Sequence, residues 1–238
     1  MDELSQKERQ ILLVFPHPDD EAFTCSGAVR LYANMGVPVT YACLTLGEMG
    51  RNLGNPPFAT RESLPEIRRI ELKSACEAMG IQDLRMMGLR DKTIEFEDDE
   101  KMVKLVSDLI EELKPSLIFT FLPGFAVHPD HEATARAVVE AVRRMPKEER
   151  PKIWACGFAN DTITRNGEAH INLDVSTVKM DKLAALRAHM SQTAWMMDET
   201  TKRVEDGQPM SESWLNVEKF YIVRHEDEID ASIDSAFL

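Results

Sequence analysis

Short apolar runs alternate with amphipathic segments over the first two thirds of the chain, and this alternation constrains the fold more than any other feature. The apolar runs are of strand length and lie at 11–15, 37–47, 84–89, 116–122 and 152–158. The intervening segments with apolar residues at helical spacing lie at 25–36, 62–80, 99–114 and 130–144. A β-α-β alternation predicts a mostly parallel sheet covered by helices on both faces. We therefore expect an α/β fold, a Rossmann-like three-layer sandwich.

The pattern weakens after residue 158. We expect an extended segment at 171–176, a helix at 178–192 and a late strand at 216–224. The sequence contains neither an internal repeat nor a long linker. We therefore expect one domain over residues 1–238, with a less regular C-terminal third from about 159.

Charge and composition argue against two classes of partner. The net charge of −13 disfavours non-specific binding to nucleic acid or anionic membranes, which requires basic patches. No apolar stretch approaches the roughly 18 residues of a membrane span, and the polar start at 1–10 lacks the pattern of a secretory signal. The four cysteines lack a CxxC pattern and are expected to be buried free thiols. We expect a cytoplasmic protein without a nucleic-acid or membrane partner.

Two clusters of chargeable side chains follow predicted strands. The sequence HPDDE at 17–21 follows the first strand, and VHPDHE at 127–132 follows the strand at 116–122 after a short loop. In an open parallel sheet, ligands bind beyond the carboxyl ends of the strands. Both clusters fall at that edge, where six side chains can meet. These are His17, Asp19, Asp20, His128, Asp130 and His131.

This combination of imidazole and carboxylate groups indicates a metal site. The donors suit zinc, which in catalytic sites takes three protein ligands and leaves one position for water, and iron(II) can bind similar donors. His17 and Asp20 lie three residues apart in a turn stiffened by Pro16 and Pro18, so both can face one ion. Either cluster alone would more often be a turn or a helix cap, but two of the same type favour a functional site.

Longer stretches resemble a known family. The segments PHPDDE (16–21), TLGEMG (45–50), IRRIELKSACEAMG (67–80) and HPDH (128–131) together resemble the PIG-L/LmbE family of zinc-dependent de-N-acetylases, over roughly residues 10–195. The sequence around these motifs is also similar to the branch of that family that acts in bacillithiol biosynthesis in Bacillus-type bacteria. The resemblance implies removal of acetate from N-acetylglucosaminyl-malate, a small amino-sugar conjugate.

The resemblance also implies a role for each motif residue. The zinc ligands would be His17, Asp20 and His131. Asp19 would be the general base that activates the attacking water, and His128 would stabilise the oxyanion while Asp130 orients its ring. The sugar would be bound by Arg68 and Asp91. Relatives commonly form trimers or hexamers, so a homo-oligomer is expected.

One position departs from the family pattern. Some relatives carry a tyrosine two residues before HPDH that helps to polarise the carbonyl, and this chain has Ala126 there. Either zinc and His128 suffice, or another donor reaches in. The loop at 47–58 could form one wall of the pocket, and Arg51 or Arg61 could bind a malate carboxylate. His189 is interpreted as a packing or capping residue of a predicted helix.

Two alternatives to this function remain open, and a third is disfavoured. The enzyme could be an amidase of bacillithiol S-conjugates or a deacetylase of another N-acetyl sugar, since both keep the metal chemistry. A non-catalytic nucleotide-binding module would need a G-x-G-x-x-G sequence after the first strand. FPHPDDEAF (15–23) occupies that place, which argues against the module.

Overall fold

Seven strands form a single sheet in the computed structural model, which describes residues 8–205 and 213–225. The strands are β1 (Ile11–Phe15), β2 (Val39–Cys43), β3 (Asp83–Met86), β4 (Leu117–Phe121), β5 (Lys152–Cys156), β6 (Ile171–Asp174) and β7 (Val217–Ile222). Their order across the sheet is β3-β2-β1-β4-β5-β7-β6. Strands β1 to β5 pair in parallel, and β7 runs antiparallel to both β5 and β6. The predicted mostly parallel sheet is confirmed.

Helices cover both faces of the sheet. They are α1 (Asp20–Thr24), α2 (Ser26–Asn34), α3 (Leu64–Met79), α4 (Asp99–Leu113), α5 (Pro129–Arg143), α6 (Thr162–Asn166), α7 (Lys179–Ala188), α8 (Met190–Glu205) and α9 (Ser213–Asn216). One core cluster joins the sheet to α2, α3 and α7, and a second joins its other face to α4 and α5. The three-layer α/β sandwich is therefore confirmed.

Local sequence explains where the main elements begin and end. All five residues of β1 are buried, as expected for a parallel strand with helices on both faces. Helix α3 carries a proline in its first turn and ends at Gly80, whose φ of +78° is the left-handed conformation that terminates many helices. Helix α4 begins where the Asp98 side chain accepts a hydrogen bond from the Lys101 amide. The short helices α1, α6 and α9 were not predicted from the sequence, and the single helix predicted at 178–192 is instead α7 followed by the start of α8, divided at His189.

The strand order reverses direction at β1, and this places the ligand crevice. β1 pairs with β2 on one side and with β4 on the other. The segments that leave β1 and β4 therefore turn to opposite faces of the sheet, which opens a crevice beyond the carboxyl ends of the two strands. The two histidine-aspartate motifs occupy this crevice, because they follow Phe15 and Phe121.

The C-terminal third is fastened to the rest by a buried ion pair. Lys182 on α7 and Glu218 on β7 lie 2.6 Å apart, and both side chains are almost fully buried. Glu218 also accepts hydrogen bonds from the amides of Gly27 and Ala28 at the start of α2. One carboxylate thus joins three elements from both ends of the chain.

Two findings bear on the composition of the chain. Cys25, Cys43, Cys76 and Cys156 are all buried and free, as predicted. Among the described residues, no helix is both long enough and apolar enough to cross a bilayer.

We expect Lys182→Met to destabilise the protein strongly. The substitution leaves the buried Glu218 carboxylate without its cation, which typically costs about 3–5 kcal/mol. Thermal unfolding should show a Tm lowered by roughly 6–20 °C for a chain of this size. Lys104→Met, which removes an exposed pair with Asp108, is the control and should change Tm little. Equal Tm values for the two variants would contradict a stabilising role for the buried pair.

Candidate metal centre and active site

The candidate site is built from four loops at the carboxyl edge of the sheet. They follow β1, β2, β3 and β4 and span residues 16–19, 44–50, 87–93 and 122–128. Three residues in or beside these loops have positive φ angles although none is glycine: Asp19 at 105°, Lys92 at 63° and Val127 at 69°. Such backbone costs of order 1–3 kcal/mol per residue and concentrates at functional sites. The loops are therefore held in conformations that local preference does not favour.

Two imidazole nitrogens and both oxygens of one carboxylate, from three side chains of the two motifs, form a close triangle. His17 Nδ1 lies 3.1 Å from His131 Nε2, His131 Nε2 lies 3.3 Å from Asp20 Oδ1, and Asp20 Oδ2 lies 3.5 Å from His17 Nδ1. A zinc ion with ligands at roughly 2.0–2.1 Å holds neighbouring donors of a tetrahedral site about 3.3 Å apart. The spacing of the three side chains fits such an ion.

The hydrogen bonds of the two imidazoles fix which nitrogen faces the triangle. His17 Nε2 lies 3.0 Å from Asp91 Oδ1 and 3.4 Å from Asp130 Oδ2, so it carries the proton. His131 Nδ1 lies 3.2 Å from the Ala126 carbonyl oxygen and carries a proton for the same reason. In the neutral rings the opposite nitrogens, His17 Nδ1 and His131 Nε2, therefore carry the lone pairs, and nitrogens of this kind bind metals. Partners of this kind orient metal-binding histidines in known sites.

Additional donors surround the triangle. His128 brings a ring nitrogen within 4.8 Å of donors on His17 and His131, and Asp91 and Asp130 form a second group with His17. The second group meets the His17 ring at Nε2, the nitrogen that points away from the triangle. We therefore consider Asp91 and Asp130 as groups that orient His17, and the triangle as the set of atoms that could hold a metal.

The charges around the triangle favour a cation. Burial by itself would raise the pKa of Asp20, but His131 and His17 hold it well below its usual range. Burial would lower the pKa of His17, but its hydrogen bonds with Asp130, Asp20 and Asp91 raise it well above the usual value. A proton thus offsets the surrounding negative charge in the absence of a metal, and a metal cation can take its place.

Asp19 lies beside the triangle with a different environment. Its side chain is 20% exposed and forms an ion pair of 3.1 Å with Arg68. Burial raises the pKa of Asp19 to about 6, against the opposing effect of Arg68. A carboxylate with a pKa near the working pH can accept and return a proton, which a general base must do.

His128 caps the N-terminus of α5 and thereby aims its free nitrogen. Its Nδ1 accepts a hydrogen bond of 3.2 Å from the Asp130 amide, so the neutral ring carries its proton on Nε2. Burial lowers the pKa of His128, and the neighbouring His17 and His131 lower it further. His128 can therefore donate a hydrogen bond from Nε2 as a neutral ring.

The remaining predicted residues have contacts that the sequence analysis did not anticipate. Arg68 is 3% exposed and donates hydrogen bonds to the carbonyl oxygens of Gly47 and Pro18, in addition to its pair with Asp19. Asp91 accepts a hydrogen bond from the Met49 amide and contacts His17. The Asp130 carboxylate contacts His17 and accepts a hydrogen bond from the Lys92 amide. The contact of Asp130 with His128 is made by the Asp130 backbone amide, which donates to the His128 ring. The sugar-binding and ring-orienting roles stay predictions.

Side-chain hydrogen bonds hold the loop at 47–58 in place at several positions. Arg61 donates hydrogen bonds to the carbonyl oxygens of Glu48 and Gly50, and Asn52 exchanges two hydrogen bonds with Gln192 at the start of α8. Arg51 and Arg61, the two arginines proposed for a substrate carboxylate, are both exposed, but Arg61 is engaged by these two carbonyl oxygens and Arg51 has no hydrogen bond or ion pair among the described residues. Ala126 is buried and offers only a methyl group where some relatives have a phenol.

Comparison with known proteins gives a consistent family match. The family model described as PIG-L, GlcNAc-PI de-N-acetylase, matches residues 12–142. A Bacillus cereus protein named "Probable N-acetyl-alpha-D-glucosaminyl L-malate deacetylase 2" is 50% identical over 219 residues, covering 92% of this chain and all of that protein. A Bacillus anthracis protein of the same name is 48% identical, covering 94% and 99% of the two chains.

Solved structures with the same fold carry more than one kind of chemistry. An N,N'-diacetylchitobiose deacetylase from Pyrococcus horikoshii superposes with a TM-score of 0.68 at 23% identity, over 91% of this chain and 84% of that one. A 4-carboxy-2-hydroxymuconate hydratase from Pseudomonas putida reaches 0.67 at 18% identity, over 92% and 97%. These likenesses establish the fold, and the function must be argued from the site.

We expect graded losses of zinc binding from two aspartate substitutions. Asp20→Ala removes a donor of the triangle and should abolish stable binding, because two ligands remain where a catalytic zinc site needs three. Asp91→Ala removes a partner of His17 Nε2 and should weaken zinc affinity by about 10–100-fold. Calorimetric titration of metal-free protein with zinc, with elemental analysis of bound metal, measures both.

Asp181→Ala, which removes a carboxylate that pairs with Arg30, is the control and should leave zinc affinity unchanged. Full metal occupancy in Asp20→Ala would remove Asp20 from the set of ligands. Unchanged zinc affinity in Asp91→Ala, together with a raised KM, would assign Asp91 to the substrate instead.

Proposed function

The chain belongs to the PIG-L family of de-N-acetylases, and on that premise we propose that it is a zinc-dependent hydrolase that removes the acetyl group from N-acetylglucosaminyl-malate. The enzyme would act as a deacetylase in bacillithiol biosynthesis, as the relatives named for this substrate suggest. The observation that carries the proposal is the triangle of His17, Asp20 and His131 with Asp19 and His128 beside it. This combination offers a metal site, a proton acceptor and a hydrogen-bond donor, which together can hydrolyse an amide.

The triangle would hold the zinc ion. An amide is a poor electrophile and water is a poor nucleophile, so both need activation. When bound, zinc supplies Lewis-acid polarisation of the acetyl carbonyl and lowers the pKa of a water molecule. The other steps are assigned to side chains of the chain itself.

Asp19 would take the proton of the attacking water and pass it to the departing amine nitrogen. The ion pair with Arg68 restricts the orientation of the Asp19 carboxylate. The partial exposure of this side chain leaves it accessible to water. His128 would donate its Nε2 proton in a hydrogen bond to the oxyanion that forms from the acetyl carbonyl. Loss of one such donor typically lowers kcat by about 10²–10³-fold. The products are acetate and the free amine of the sugar.

Several properties of the enzyme belong to the same proposal. The substrate is a small amino-sugar conjugate whose malate carboxylates would meet a cationic side chain, with Arg51 favoured because Arg61 already donates to the Glu48 and Gly50 carbonyl oxygens. A cytoplasmic location agrees with four buried free cysteines. A homo-oligomer and a single domain over residues 1–238 are proposed from the family resemblance. Iron(II) is the alternative metal, since the same donors bind it.

We expect the zinc-loaded protein to release amine rapidly from N-acetylglucosaminyl-malate and much more slowly from N-acetylglucosamine. The malate conjugate offers carboxylates that the simple sugar lacks, so it should have the higher kcat/KM. Fluorescent labelling of the released primary amine measures both rates. Protein treated with a chelator should be inactive and should recover when zinc is added back.

Equal rates on the two substrates would place the specificity elsewhere and favour another N-acetyl sugar. If neither substrate is cleaved while zinc is bound, the bacillithiol-precursor assignment is wrong. Amides of bacillithiol S-conjugates would then be the next substrates to assay.

Asp19→Ala should keep zinc and lose turnover. Asp19 is not part of the triangle, so the ligands of the metal are unchanged, but the group that moves the proton is gone. General bases of this kind contribute about 10²–10⁴-fold, and kcat should fall accordingly. Elemental analysis and the amine-release assay on one preparation test both halves. Loss of zinc in this variant would refute the division of labour between Asp19 and Asp20.

A further inference from the structure

Glu21 is a fully buried carboxylate that lies next to the candidate site but outside the triangle. Its Oε1 lies 2.6 Å from His189 Nε2, and its Oε2 accepts hydrogen bonds from the Tyr41 hydroxyl at 2.9 Å and from the Asp19 amide at 3.1 Å. Both Glu21 and His189 have side chains that are 0% exposed. A buried carboxylate needs such donors, because unpaired burial of a charge is very costly.

The hydrogen bond to the Asp19 amide links this buried pair to the proposed general base. Asp19 has a φ of 105°, which an L-residue adopts only when surrounding contacts enforce it. Besides the Ala22 and Phe23 amides, which donate to the Asp19 carbonyl oxygen, two side chains hold the residue: Glu21 accepts from its amide, and Arg68 pairs with its carboxylate. The direction of the Asp19 side chain therefore depends on the position of the Glu21 carboxylate.

Glu21 is in turn held by a residue from a distant part of the chain. His189 follows the last residue of α7, beyond the residues 12–142 that the family model matches. Since a carboxylate oxygen accepts, His189 Nε2 carries the proton, and the buried Nδ1 has no hydrogen-bond partner. The described contacts of the ring thus give it one polar partner, which is Glu21.

We propose that His189 and Glu21 are positioning residues for the de-N-acetylation, a buried pair that holds Asp19 in its strained conformation. This inference rests on the proposed function. Neither side chain touches the substrate. Their effect on the reaction is exerted through the orientation of the Asp19 carboxylate, because a misplacement of about 1 Å can lower a rate by about 10²-fold.

The test compares His189→Leu with His189→Gln. Leucine removes the donor to Glu21, so we expect kcat to fall about 10²-fold while KM and zinc content stay close to those of the unchanged protein. The glutamine amide can place an N–H near the position of the imidazole Nε2–H, and we expect it to restore most of kcat. A loss of kcat without a change in KM or zinc would distinguish positioning from substrate or metal binding.

Lys182→Met is a matched control for loss of stability. Glu218, like Glu21, is a buried carboxylate with one basic side chain and two further donors, and Lys182→Met removes the basic side chain just as His189→Leu does. We expect Lys182→Met to lower Tm about as much as His189→Leu does, but to leave kcat unchanged. Both variants are assayed well below their Tm values. Equal falls in kcat for the two variants would reduce the role of His189 to stability and overturn the proposal, as would an unchanged kcat in His189→Leu.

A second pair of variants covers failure of His189→Leu to fold. Glu21→Gln keeps the shape of the side chain but removes the negative charge that accepts hydrogen bonds from three donors. Glu218→Gln is the equivalent change in the other buried pair. Glu21→Gln should lower kcat and Glu218→Gln should not. The same kcat in both would overturn the proposal.

Hydrogen exchange at the Asp19 amide separates this inference from the proposed function. The amide is bonded to Glu21, so its exchange should accelerate in His189→Leu and remain slow in Lys182→Met, as measured by NMR on labelled protein. This measurement requires no substrate. If the unchanged protein fails to release amine but the exchange result holds, the proposed function fails and the structural link survives. Unchanged exchange in His189→Leu would refute the link itself, whatever the substrate.

Discussion

The mutual repulsion of closely spaced acceptor atoms governs the site. In the neutral rings, His17 Nδ1 and His131 Nε2 carry lone pairs that face each other at 3.1 Å, and one Asp20 oxygen lies 3.5 Å from the former while the other lies 3.3 Å from the latter. Buried acceptors at such separations are stable only when a cation or a proton lies among them. The outward nitrogens are meanwhile fixed by Asp91, Asp130 and the Ala126 carbonyl, so the rings cannot turn away to relieve the repulsion. Much of the surrounding structure serves to keep this arrangement in place.

The carboxyl edge of the sheet makes the arrangement possible, and that much can be inferred from the sequence. Apolar runs at 11–15 and 116–122 predict strands, and polar motifs directly after them predict a shared edge. The pairing of β1 with β4 is what brings His17 and His131 together, and periodicity cannot supply it because it identifies elements and not their neighbours. The antiparallel placement of β7 between β5 and β6 is undetectable for the same reason.

Side-chain environments were harder to anticipate than elements. An arginine on a helix looks like a solvated charge, yet Arg68 is buried because the carbonyl oxygens of Pro18 and Gly47 and the Asp19 carboxylate surround it. The family resemblance assigns Asp91 to the sugar, and the structure adds contacts with His17 and the Met49 amide that the sequence did not indicate. Such contacts join residues dozens of positions apart, and a single sequence carries no signal for them. The motif residues His17, Asp20 and His131 could be identified because each motif contains its own donors at short spacing.

The fold alone does not select the reaction, since a hydratase shares it with deacetylases. Enzymes of this fold with different reactions must differ in where a few charged groups lie. Each group must be placed to within fractions of an ångström, which requires rigid supporting residues. The support here comes largely from buried polar contacts that cross the molecule, such as Glu21 with His189 and Glu71 with Ser191. One contact starts from His189, between α7 and α8, and the other from Ser191 in the first turn of α8, and both reach elements of the motif-bearing half. The less regular C-terminal third therefore contributes to the site without supplying any of its proposed ligands: through His189 it holds Glu21, which accepts a hydrogen bond from the Asp19 amide.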